Sequence, residues 1–158
     1  MSTPVRLAAA AALALASLLA AAQPAIPPAA PDFDAELARR LGADEHGMRR
    51  YVLVILKTGP RRMPDGPARE AMFKGHFANM KRLAEAGQLV QAGPLDGVDG
   101  WRGLFVFAVA DIEAARALTA TDPVIAEGEM VAEYHGYYGT AALMQLGEAH
   151  RRLARQPF

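Results

Sequence analysis

Four side chains in this sequence have chemistry useful near neutral pH: His76, Asp122, Lys57 and His135. A histidine oriented by an aspartate is a proton-transfer device, because the carboxylate fixes the imidazole tautomer and stabilises the imidazolium that forms. His76 and Asp122 are the candidate catalytic pair, provided the elements that carry them lie side by side. Lys57, or a backbone N–H near Gly93, would then stabilise developing negative charge, with Pro94 and His135 as further substrate contacts. Each residue also has a plain structural reading. His76 alone is a hydrogen-bonded packing residue, Asp122-Pro123 is a helix stop, Lys57 is a solvated strand end, and His135 is the outward residue of an edge strand. No Ser or Cys stands at a nucleophile elbow. The histidines at 46, 76, 135 and 150 show neither HExxH nor paired helical spacing, so no metal site is indicated, and the proton-transfer reading demands no cofactor.

The elements that must position these residues follow from apolar periodicity. Tyr51 to Thr58 is nearly continuous Val, Ile and Leu and ends at Gly59-Pro60, which predicts a strand. It is apolar on both faces: Tyr51, Leu53 and Ile55 on one, Val52, Val54 and Leu56 on the other. Such a strand needs cover on both sides. Residues 68–86 read as a helix closed by Gly87, with Phe73, Phe77, Met80 and Ala84 as its buried stripe and His76 beside that stripe. Leu89 to Ala92 predicts a short strand, and Gly103 to Val109 a third strand. Asp111 caps a second helix that Asp122-Pro123 breaks. Met130 to Tyr138 predicts a fourth strand, and Thr140 to Leu153 a final helix. The order β-α-β-β-α-β is the ferredoxin-like arrangement, α+β, with an antiparallel four-stranded sheet and helices on one face. The second apolar sheet face calls for a second copy packed face to face, with the C-terminal helix as the competing cover.

Outside this core, Arg6 precedes a run from Leu7 to Ala22 made of Ala and Leu except for Ser17, ending in Ala20-Ala21-Ala22. This is the pattern of a secretory signal over residues 1–22, cleaved before Gln23, and it implies a periplasmic or secreted bacterial protein with no membrane attachment after cleavage. The alternative is a retained anchor, for which the run is short. Residues 23–47 form a Pro/Ala-rich linker and a short helix capped by Asp32 or Asp34; the domain proper spans 48–139, and 140–158 are its C-terminal helix and tail. The 17 basic and 17 acidic residues balance, so nothing points to nucleic acid. Cys is absent, which removes disulfides, thiolate nucleophiles and Cys-based zinc sites.

Tyr51-Val52-Leu53-Val54-Ile55-Leu56, His76-x3-Met80-x2-Leu83, Gly87 to Leu95 (GQLVQAGPL) and Asp122 to Gly128 (DPVIAEG), in this order, resemble the YCII-related (YciI-like) family over roughly residues 51–138. The resemblance implies a dimeric α/β barrel and a pocket whose proposed catalytic pair corresponds to His76 and Asp122. It leaves the reaction open, and the exported N-terminus and the tail beyond Tyr138 depart from the usual short member. Two functions stay in play: a cofactor-free lyase or isomerase acting on a small molecule, and a non-catalytic periplasmic small-molecule-binding or accessory protein. A haem barrel is a third, for which no His spacing singles out a proximal ligand.

Overall fold

The computed structural model describes residues 32–156, so the proposed signal and the Pro/Ala tract lie outside the described residues. The chain enters through α1, Ala35–Leu41, whose first turn is capped by the Asp34 carboxylate accepting from the Leu37 N–H. β1, Met48–Thr58, follows; its β-branched run packs well on a pleated surface. α2, Pro67–Glu85, opens on Pro67, where a missing N–H costs nothing. Then come β2, Leu89–Pro94, and β3, Trp101–Phe107. α3, Ile112–Thr119, is capped by Asp111 as expected. α4, Pro123–Ala126, and β4, Met130–Thr140, complete the core, and a 3-10 turn, Ala141–Gln145, leads into α5, Leu146–Leu153.

The sheet order is β2-β3-β1-β4 with every neighbouring pair antiparallel. This is the ferredoxin-like arrangement anticipated above. One sheet face carries Val52, Val54, Leu56, Phe105, Phe107 and Met130, and packs against Met72 and Leu83 of α2, Ala115 of α3 and Val124 of α4. Completely burying a side chain such as Phe107 is worth about 2–3 kcal/mol. The loop after β1 is tied to the strand opposite through a backbone approach that only glycine allows. A Cβ on Gly59 would sit 2.2 Å from the Gly128 carbonyl oxygen.

Three sequence expectations are corrected. The buried stripe of α2 is Met72, His76, Asn79 and Leu83, while Phe77 is 55% exposed and Ala84 is on the surface. The two polar members disguise the true inward face, because periodicity of apolar residues alone points one position away from it. Asp122-Pro123 does end α3, but it also starts α4, since Asp is a good N-cap and Pro a good first helical residue. The single helix expected over 140–153 is divided into the 3-10 turn and α5.

The other sheet face carries Arg49, Tyr51, Leu53, Ile55 and Lys57 on β1, with Val106 on β3 and Val131, Glu133, His135 and Tyr137 on β4. Tyr51, Ile55 and Val106 are buried. Terminal elements gather at the Tyr51 end: Arg49 Nη1 donates to the Leu41 carbonyl at 2.7 Å, and Tyr51 Oη donates to the Thr140 carbonyl at 2.9 Å. The 3-10 turn and α5 reach across to β2, at the sheet edge opposite β4. At the other end Trp101 and Val131 remain 41% and 44% exposed. Among the described residues no helix is long and apolar enough to cross a membrane.

Candidate functional site

His76 sits midway along α2 on its inward face, 7% exposed. Asp122 is the N-cap of α4 and 1% exposed. The split β-α-β topology places α2 beside α4, and the two side chains meet: His76 Nδ1 lies 2.9 Å from Asp122 Oδ1 and 2.8 Å from Oδ2. Asp122 Oδ1 also accepts from the Val124 N–H at 3.2 Å, so one carboxylate both caps the turn and holds the ring. A carboxylate accepts at both oxygens, so Nδ1 carries a proton, and in the neutral ring Nε2 is the nitrogen with the lone pair. Both polar groups are buried, and burial without a partner would be costly.

Aromatic rings surround the imidazole. Phe105 stacks at 6.1 Å between centroids, Phe73 meets it edge-on at 6.1 Å, and Phe77 is tilted at 5.3 Å. Beyond Phe73 an open groove of about 320 Å³ is lined by Asp65, Gly66, Arg69, Glu70 and Phe73. The Arg69 guanidinium lies 4.7 Å from the Phe73 ring centroid. It also donates to Glu129 at 2.8 Å and pairs with Asp65 at 3.3 Å. Glu129 is fully buried and accepts the Met63 N–H at 2.7 Å as well, which ties the 59–66 loop to the start of β4. Burial pushes the Glu129 carboxyl up, but the Arg69 and Met63 hydrogen bonds outweigh it, and the net shift is downward.

The remaining sequence candidates lie elsewhere. Lys57 and His135 are on the opposite sheet face from His76, because β1 and β4 stay in regular register through both positions. There they meet each other through Glu133: Lys57 Nζ is 3.2 Å from Oε2 and His135 Nε2 is 2.8 Å from Oε1. These contacts, His135 first and then Lys57, lower the Glu133 carboxyl below its ordinary value. Gly93 and Pro94 end β2, opposite Leu104 and Gly103. The structure thus brings His76 and Asp122 together and separates Lys57 and His135 from them.

Residues that the sequence did not single out complete the surroundings. Asn79, buried three residues after His76, has its Oδ1 3.1 Å from Thr121 Oγ1 and 2.7 Å from Arg82 Nη2. Its spacing from His76 on one helix was the available signal; Glu129 and Glu133 had none beyond their charge. Among the described residues no group of three or more His, Cys, Asp or Glu side chains is placed to hold a metal ion. A family model described as the YCII-related domain matches residues 50–135. No curated protein matches the chain.

Proposed function

The chain belongs to the YCII-related domain family, and from that premise we propose that it is a cofactor-free lyase or isomerase that moves a proton on a small molecule. The observation that supports this reading is the buried His76–Asp122 pair, with Nδ1 held by the carboxylate. His76 Nε2 takes the substrate proton and Asp122 steadies the imidazolium. In an isomerisation the same nitrogen returns the proton to another atom of the product; in an elimination the leaving group departs with the electron pair of its broken bond and receives the proton. The rings of Phe73, Phe77 and Phe105 favour a flat, weakly polar substrate body. The groove shares Phe73 with the rings around His76. On the same proposal the chain is exported through residues 1–22 and works as a homodimer whose copies meet across the exposed Trp101–Val131 end of the second sheet face.

The test is solvent-deuterium incorporation by the mature chain into a panel of small cyclic and carbonyl compounds in heavy water. Wild type exchanges a carbon-bound proton of at least one member, and His76→Ala slows this by a factor of about 10² or more. Exchange that survives in His76→Ala overturns the assignment. The near-complete burial of His76 supports a second reading, in which the ring is a wall of a non-catalytic binding site. Ligand-dependent rises in thermal midpoint with no exchange on any compound would favour that reading.

A further inference from the structure

α4 is a single turn of four residues, too short to hold its own orientation, yet its cap must hold the His76 ring. Three contacts between α2 and this turn lie side by side. At Gly75 the helices approach so closely that a Cβ would stand 3.0 Å from Pro123 Cγ. At the next residue His76 meets Asp122. One helical turn further, Asn79 Oδ1 meets Thr121 Oγ1, and Arg82 Nη2 joins both, at 2.7 Å from the Asn79 oxygen and 3.1 Å from the Thr121 hydroxyl. The Thr121 hydroxyl has one proton and two acceptors within reach, Leu118 O at 2.7 Å and Asn79 Oδ1 at 3.1 Å. If the proton goes to Leu118, Arg82 still links Asn79 to Thr121, so the contact is closed either way.

In this network Asn79 serves as an acceptor, and it is 8% exposed, so its amide group is not explained by solvent. Thr121 is covalently adjacent to Asp122, and a shift of Thr121 turns the aspartate. We infer that Asn79, acting through Thr121 and Arg82, is a positioning residue that fixes Asp122 against His76 Nδ1. The inference rests on the proton-transfer reading of that pair for its functional meaning, but its geometry stands apart from any reaction.

The test reads the imidazole itself. In the mature chain labelled with 15N-histidine, His76 of wild type shows the Nδ1–H tautomer and a slowly exchanging ring proton. Asn79→Leu keeps the volume and removes the acceptor, and Thr121→Val removes the hydroxyl at an exposed position. Both variants exchange that proton about tenfold faster, by more than their loss of global stability measured in urea accounts for. Asn79→Asp, which restores an acceptor facing Arg82, returns exchange to the wild-type rate. Wild-type exchange and tautomer in both Asn79→Leu and Thr121→Val overturn the inference, as does failure of Asn79→Asp to restore them. Should Asn79→Leu not fold, Thr121→Val decides alone. No substrate enters this measurement, so a protein without turnover would sink the proposed reaction and leave the positioning role standing.

Discussion

Glu129 shows how much a single charge can depend on tertiary context. In sequence it is one acid among 17; in the fold it is buried between Arg69 and the Met63 N–H. Its folded carboxyl is held below the ordinary value of 4.5, so its stabilising contribution is fully present above that value. It is lost as pH falls through the lower folded value. Glu129→Gln should destabilise the protein at pH 7 by about 2–3 kcal/mol in urea, below the usual loss for a buried pair because Arg69 keeps 19% exposure. The gap between variant and wild type should close as pH drops below 4.5; a gap independent of pH would contradict the ion-pair account. His76 and Asp122 were legible earlier than Glu129, because residue type and the expected helix pairing both pointed at them.

The elements were readable where apolar periodicity was unbroken. β1 and the Asp111 cap of α3 follow directly from local sequence. α2 was readable as a helix but not in its rotation, since two of its four buried residues, His76 and Asn79, are polar. A helix normally turns its apolar stripe inward; here the polar groups are buried because Thr121 and Asp122, just ahead of α4, supply their partners. That dual use gives a prediction for α4. Asp122→Asn retains an oxygen for the Val124 N–H, so its cap survives, and the loss of stability in urea should be about 1–3 kcal/mol, that of one buried acceptor facing His76 Nδ1–H. The proton exchange assigned to His76 should nonetheless fall by about 10² or more, because a neutral amide no longer stabilises the imidazolium. Equal loss of stability and of activity would mean that the carboxylate acts through the fold alone.

At the scale of the whole molecule, the two-sided β1 strand raises the question of what covers the second sheet face. The structure gives a divided answer. α1 and the C-terminal elements gather near Tyr51, while Trp101 and Val131 stay exposed around Lys57, Glu133 and His135. That strip holds apolar groups and both signs of charge, a composition suited to a self-complementary two-fold contact. Sedimentation of the mature chain should therefore report two copies, and Val131→Asp should give single copies with an unchanged circular dichroism spectrum. A wild-type protein that sediments as one copy at high micromolar concentration would remove the dimer.

By itself the sequence determined the order of the four strands and of the two helices between them, and the α+β class, through local periodicity and caps; it named His76 and Asp122 as a candidate pair by residue type. The tertiary structure alone decided that His76 faces inward, that Lys57 and His135 stand across the sheet from it, and that Glu129 and Asn79 are buried partners. The physical reason is the same in each case. A polar side chain is buried only where a distant segment supplies its hydrogen bond, and such partners, 46 residues apart for His76 and Asp122, come together only when the sheet closes.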